Sequence, residues 1–337
     1  MKFASQPLVF ALSESRKLGE QFALHANLPL APLEERTFEG GEFKLRPLTS
    51  VRDTTVFVVQ TLAGSDDASV AHRAMRLLFA CFGLRDAGAS RIIAVIPYLA
   101  YARKDRRTQA RDPVNSRYIA QLLETAGVDR VIAVDVHNPA ALDNSFRIPV
   151  DHLSAIPMFV DHFSTLLAFA PLTVVSPDVG GIKRAQIFRE LLQTRVGEPV
   201  ELAFIEKRRV GGQASSGSVV GQIGGRTAIL LDDLCATGGT LTRAATSLRE
   251  AGATAVHAAF VHAPCLDGLH ALARCESIAH IVFTDTVGNA LPAEPTALSE
   301  RITCLPIAPL LGEAARCMND GTPLAPLLQQ WPPAHRL

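Results

Sequence analysis

Residues Ile229 to Leu241 read Ile-Leu-Leu-Asp-Asp-Leu-Cys-Ala-Thr-Gly-Gly-Thr-Leu. Three apolar residues run into a pair of carboxylates, and a short loop then ends in Thr-Gly-Gly-Thr. From Leu241 to Glu250 the apolar residues recur at helical spacing. The pattern predicts a buried strand ending at Asp232 and Asp233 and a helix starting near Thr240. In an open α/β sheet, ligands collect outside the carboxyl ends of the strands. A loop that feeds a helix N-terminus there is an anion site. Gly238 and Gly239 let the backbone approach a phosphate with no Cβ in the way, and Thr237 and Thr240 add hydroxyl donors. Ionised, Asp232 and Asp233 only accept, which suits sugar hydroxyls or a hydrated metal. An ordinary strand-turn-helix would explain a bare Gly-Gly-Thr; two acids ahead of Thr-Gly-Gly-Thr favour a cradle for a phosphorylated sugar.

The rest of the chain alternates in the same way. Strand patterns fall at 8–11, 54–60, 91–96 and 130–134, then at 172–175, 200–205, 227–231, 255–261 and 280–283. Helical patterns fill 71–87, 114–126, 182–192 and 241–251, and a first helix, capped by Ser13 or Ser15, runs to His25. Such alternation implies parallel sheets with helices on both faces. The two halves repeat one element order, so two similar α/β domains are expected. The boundary falls near Pro149 and Pro157, giving domains of 1–153 and 154–305. The apolar, Pro-rich tail 306–337 is expected to pack back on a domain. Val210 to Gly225, rich in Gly, Ser and Gln, reads as a mobile loop.

Composition narrows the function classes. The 337 residues are 48% hydrophobic and 20% charged, enough for two cores and too apolar for global disorder. Lys+Arg and Asp+Glu are both 33, so nothing points to a nucleic-acid or membrane partner, and any phosphate-binding charge is local. No apolar run nears the ~20 residues that span a bilayer. The start of the chain reads as a strand rather than a signal peptide. Six cysteines form no Cys-x-x-Cys pair, the pattern of free thiols in a reducing cytoplasm.

Four further segments sit at strand ends. Pro97 to Arg107 follows a strand and carries Arg103, Lys104, Arg106 and Arg107, with Arg111 beyond. It is either a solvated basic loop or a polyphosphate site. His137 follows Val134-Asp135-Val136; it is a structural histidine or a metal ligand. Asp178, in Ser176-Pro177-Asp178-Val179-Gly180-Gly181, is a helix cap or a holder of metal or substrate hydroxyls. Glu206-Lys207-Arg208-Arg209 opens into the Gly/Ser stretch and is a solvated turn or a lid closing on a reacting phosphate.

In this order, with Phe38-Glu39-Gly40-Gly41-Glu42, these segments resemble the ribose-phosphate pyrophosphokinases, or phosphoribosyl diphosphate synthetases, over about residues 8–317. The resemblance implies two tandem phosphoribosyltransferase-like (Rossmann-like) domains and transfer of the diphosphoryl group of ATP to ribose 5-phosphate with Mg²⁺. It implies catalytic roles for Lys207 and Arg209, and ATP contacts for Phe38, Glu42, Arg103 and Lys104. It implies metal roles for His137 and Asp178, and ribose-5-phosphate contacts for Asp232, Asp233, Thr237, Gly238, Gly239 and Thr240. It also implies a homo-oligomer with the ATP site at a subunit interface. The chain departs from the family pattern at Gly40 and Lys104, which leaves the choice of nucleotide open, and at Ala236, which removes an acceptor for a ribose hydroxyl. A nucleobase phosphoribosyltransferase would share the cradle but leave the basic loop of the first half unexplained. A non-catalytic regulatory relative would be expected to lack Lys207 and Arg209.

Overall fold

A computed structural model describes residues 6–65, 68–167, 170–206, 209–210, 213–214, 217–288 and 299–332. Its first unit is built on β1 (Leu8–Ala11), α1 (Arg16–Ala26), the hairpin β2 (Leu33–Thr37) and β3 (Phe43–Pro47), β4 (Thr55–Val59), α2 (Val70–Asp86), β5 (Arg91–Val95), α3 (Asn115–Thr125), β6 (Arg130–Val134), α4 (Pro139–Ser145) and β7 (Val150–Leu153). Five of these strands form one parallel sheet, ordered β1-β4-β5-β6-β7. The central strands read Thr-Val-Phe-Val-Val, Arg-Ile-Ile-Ala-Val and Arg-Val-Ile-Ala-Val, and their apolar residues are buried. Strands covered on both faces need such unbroken apolar runs.

The second unit continues with α5 (Ile156–Leu166), β8 (Leu172–Ser176), α6 (Ile182–Val196), β9 (Val200–Glu206), β10 (Arg209–Val210), β11 (Gln213–Ala214), β12 (Ser218–Val220), β13 (Thr227–Leu234), α7 (Gly239–Glu250), β14 (Ala255–His262), α8 (Leu266–Ala273), β15 (His280–Thr284) and β16 (Ile302–Leu305). Its seven-stranded sheet is ordered β12-β9-β8-β13-β14-β15-β16, parallel except at the β12 edge. The alternation read from the sequence thus gives two α/β units with parallel sheets. The last helix, α9 (Ala308–Asp320), is counted with the first unit, together with 286–288, while 325–332 belong with the second. It packs on α1: a Cβ on Gly312 would lie 2.5 Å from the Cβ of His25.

Two expectations need correction. The stretch 210–225 does not read as loop throughout, because Ser218–Val220 pair antiparallel with β9. Glycines flank that strand for a reason: a Cβ on Gly221 would lie 2.6 Å from the Cβ of Ala203. Ser15 does sit at the N-cap of α1, but it makes no side-chain cap bond there. Its hydroxyl instead accepts the amide of Thr61 at 2.9 Å.

One seven-residue pattern recurs. Leu84-Arg85-Asp86-Ala87-Gly88-Ala89-Ser90 closes α2, and Leu248-Arg249-Glu250-Ala251-Gly252-Ala253-Thr254 closes α7. Gly88 and Gly252 have φ of 93° and 91°, which favours glycine. Arg85 donates to the carbonyls of Ala89 and Ser90, and Arg249 to those of Ala253 and Thr254.

Candidate functional site

β13 pairs with β8 only from Thr227 to Leu230, whereas its pairing with β14 runs on to Leu234. Asp232 and Asp233 therefore project where β8 has ended, inside the strand rather than after it. The Asp233 amide donates to Asp232 Oδ1 at 2.9 Å. Burial, and then the neighbouring Asp233, push the Asp232 carboxyl well above the usual carboxylate range, while Arg184 opposes the shift.

The loop Cys235–Gly238 then turns into α7. The Cys235 amide is fixed by the carbonyl of His262 at 2.8 Å. Gly238, at φ 74°, is the N-cap, one residue ahead of Gly239 and Thr240 in the first turn. α8 presses on this loop from the side. A Cβ on Gly238 would lie 2.6 Å from the Gly268 carbonyl, and one on Gly268 would collide with the Ala236 carbonyl. Thr237 is exposed. The result is a tightly packed loop with two glycines and two threonine hydroxyls at a helix N-terminus, beside two carboxylates.

Asp178 lies two residues past the end of β8, the strand next to β13. Its Oδ1 accepts the Gly181 amide at 3.2 Å and so caps the tight turn into α6. Ser176 Oγ donates to the Asp178 carbonyl at 2.6 Å, and a Cβ on Gly181 would meet that hydroxyl oxygen at 2.6 Å. The pinned turn delivers Arg184, on the first turn of α6, to the acid pair. Its Nη1 lies 3.4 Å from Asp233 Oδ1 and 3.6 Å from Asp232 Oδ1. Sequence reading missed both Arg184 and Gly268.

In the first unit, β5 and β6 are neighbours, so the basic loop and the His137 segment leave one sheet edge together. Asn138 Nδ2 donates to Asp105 Oδ2 at 2.6 Å, tying the two loops. Asp112 organises the basic loop: its Oδ2 accepts from Lys104 Nζ at 2.5 Å, from the Thr108 hydroxyl at 2.7 Å and from the Thr108 and Gln109 amides. Lys104 and Thr108 hold the Asp112 carboxyl well below its usual range. Arg103 and His137 are exposed. Asp135, just before, adopts φ 37°. Phe38 and Glu42 stand on a separate sheet, at the tip of the β2–β3 hairpin. The Phe38 amide donates to the Glu42 carbonyl at 2.7 Å, Gly40 and Gly41 take φ of 87° and 90°, and Arg36 lies over the Phe38 ring.

Lys207 lies outside the described residues, as does the side chain of Arg209; the backbone of Arg209–Val210 pairs antiparallel with Gln213–Ala214. Among the described residues no three His, Cys, Asp or Glu side chains gather into a metal cage. Mg²⁺ does not need one: it is usually held by one or two carboxylates together with substrate phosphates and waters. Asp178 and the acid pair are oxygen donors of that kind.

Comparison with known proteins places this geometry. Residues 8–127 match the N-terminal domain of ribose phosphate pyrophosphokinase, and residues 155–291 match a phosphoribosyl transferase domain. Ribose-phosphate pyrophosphokinase 1 of Streptococcus pyogenes is 36% identical over 329 residues, covering 95% of this chain and 97% of that protein. The ribose-phosphate pyrophosphokinase of Hyphomonas neptunium is 37% identical over 311 residues, covering 91% and 95%. The crystal structure of phosphoribosylpyrophosphate synthetase from Mycobacterium smegmatis is similar with a TM-score of 0.83 and 31% identity, over 94% of this chain and all of that one. With both domains matched in order and nearly the full length aligned, the chain belongs to the ribose-phosphate pyrophosphokinase family.

Proposed function

We propose that the chain carries out its family's reaction through the residues just described: ribose 5-phosphate attacks the β-phosphorus of ATP through its 1-hydroxyl, giving 5-phosphoribosyl 1-diphosphate and AMP. The observation that carries the reading is the cradle at the end of β13, where two carboxylates stand beside a glycine-lined loop and a helix N-terminus. The loop amides and the Thr237 and Thr240 hydroxyls hold the 5-phosphate. Asp232 and Asp233 accept from ribose hydroxyls and so orient the nucleophile.

Phe38, Glu42, Arg103 and Lys104 take the nucleotide. Lys104 arrives already engaged with Asp112, so its charge serves the loop as well as the ligand. Lys207 and Arg209 neutralise charge on the transferring phosphoryl oxygens. Asp178 and His137 take metal-associated roles, each within its own unit, and bound Mg²⁺ would supply charge neutralisation to the phosphate oxygens. The hairpin tip carries Phe38 at 41% exposure, and α2 exposes Met75, Phe79 and Phe82 at 44%, 48% and 41%. An apolar face of this kind supports a homo-oligomer whose ATP site is completed at the subunit interface. No helix among the described residues is long and apolar enough to cross a membrane; we place the enzyme in the cytoplasm.

The test is a product assay with ribose 5-phosphate, Mg²⁺ and ATP, scoring AMP and phosphoribosyl diphosphate together. Both should form in equal amounts. Lys207→Ala should cut turnover by about a hundredfold or more, with apparent affinities changing much less. A tenfold or smaller loss would remove Lys207 from catalysis, and a chain that makes diphosphate only from phosphoribosyl diphosphate and a nucleobase would be a transferase instead.

A further inference from the structure

Arg184 occupies an unusual place. It sits in the first turn of α6, where the helix dipole disfavours a cation, and only 16% of its side chain is exposed. A long cation held there needs a compensating anion, and it has two. Its Nη1 approaches Asp233 Oδ1 at 3.4 Å and Asp232 Oδ1 at 3.6 Å. Those lengths are within ion-pair range but beyond a good N–H···O hydrogen bond, which falls at about 2.7–3.2 Å. The guanidinium thus meets both carboxylates by charge, at ion-pair distance.

The cation is also fixed from behind. Asp178 caps the turn at Gly181, and Ser176 leaves no room for a Cβ there. The position of the guanidinium is therefore set by the same turn that carries Asp178. Asp232 and Asp233, in contrast, are adjacent and mostly shielded from water, with 20% and 10% of their side chains exposed. Two such carboxyls repel when both are ionised, and a cation beside them weakens that repulsion.

We propose that Arg184 is a positioning residue for the ribose: it keeps the Asp232 and Asp233 carboxylates side by side as a paired acceptor for adjacent sugar hydroxyls. The inference rests on the reading of these acids as the ribose site. It assigns Arg184 no contact with substrate. Its effect reaches the sugar through the acids, and ATP is handled by other residues. A variant lacking the charge loses ribose 5-phosphate affinity specifically, which a merely structural arginine would not do.

The experiment uses the full-length enzyme and three variants, Arg184→Gln, Arg184→Lys and Asp233→Asn. Steady-state KM values are read for both substrates, with the rise in melting temperature given by ribose 5-phosphate alone as an equilibrium check. Loss of a charge-assisted contact predicts that Arg184→Gln raises KM for ribose 5-phosphate about tenfold or more. KM for ATP should stay within about twofold, and Arg184→Lys should recover much of the loss while remaining measurably weaker than the parent. An Asp233→Asn enzyme weakened for the sugar beside an Arg184→Gln enzyme with both KM values unchanged overturns the proposal and leaves the ribose site standing. An Asp233→Asn enzyme unchanged for the sugar overturns both. If Arg184→Gln does not fold, Arg184→Lys decides: a KM for ribose 5-phosphate equal to the parent's overturns the proposal.

Discussion

Gly268 shows how one missing methyl group shapes the cradle. Its Cα faces the Ala236 carbonyl so closely that any Cβ would collide with it, and Gly238 meets the Gly268 carbonyl in return. Gly268→Ala must push α8 or the loop aside, and overpacking of this kind costs about 1–3 kcal/mol. The expected outcome is a lower melting temperature together with a raised KM for ribose 5-phosphate; a variant with the parent's sugar affinity would show that the loop tolerates the shift. In the sequence, the acid pair and Thr-Gly-Gly-Thr stand out because the groups proposed to face the ligand are contiguous. Arg184 and Gly268 lie 48 positions before Asp232 and 30 after Gly238, and only the folded sheet brings them there. Each left a faint local signal. Arg184 is a cation in a helix's first turn, and Gly268 is a glycine inside a helical octet, where it costs stability relative to alanine. Neither signal names its partner.

At the level of elements, the long strongly patterned strands and helices were legible, because buried parallel strands must be apolar and the helices between them amphipathic. The β2–β3 hairpin, Leu-Glu-Glu-Arg-Thr against Phe-Lys-Leu-Arg-Pro, was not. It is half exposed, and its charges pair across strands, as Lys44 and Arg46 do with Glu34, so hydropathy gives it no clear period. α5, β14 and β15 hold a feature that single segments hide as well. His162, His257 and His280 cluster, with ring centroids 6.1 Å apart for His162–His280 and 6.4 Å for His257–His280. Burial, then His280 and His162, push His257 down to about 4, and burial lowers His162 and His280 too. Asp161 on α5 pulls His162 the other way, while Arg301 adds to the lowering of His280. An unfolded histidine takes its proton near pH 6.5, whereas folded His257 resists it until about pH 4. Stability from this residue is therefore complete above about pH 6.5 and is lost as pH falls toward 4, at up to ~1.4 kcal/mol per unit. His257→Phe should flatten the fall of melting temperature over that window. Parallel profiles for parent and variant would show that the cluster does not control acid stability.

For the whole molecule, the exposed face of α2 is the feature that a lone subunit explains least. Met75, Phe79 and Phe82 recur at helical spacing, and the Phe79 ring lies 5.3 Å from that of Phe43 of the hairpin, tilted by 49°. Phe79→Asp should shift the enzyme toward monomers in sedimentation velocity and weaken ATP use more than ribose-5-phosphate binding. An unchanged oligomer would move the subunit interface elsewhere. Composition alone could not have found this face, since its residues raise the apolar fraction no more than core residues do. The arginine collars that close α2 and α7 bear on ancestry. The two heptads differ only by Asp86 for Glu250 and Ser90 for Thr254, and they share the left-handed glycine and the pair of carbonyls under the arginine, the pattern that a duplicated half would leave. The other ends of the two helices differ: the connection into α7 is four residues, Cys235–Gly238, leading into the Gly238-Gly239 pair, whereas that into α2 is the longer stretch 60–69 and holds no Gly-Gly. On the proposed reading, only the half with the short connection carries the sugar-phosphate pocket.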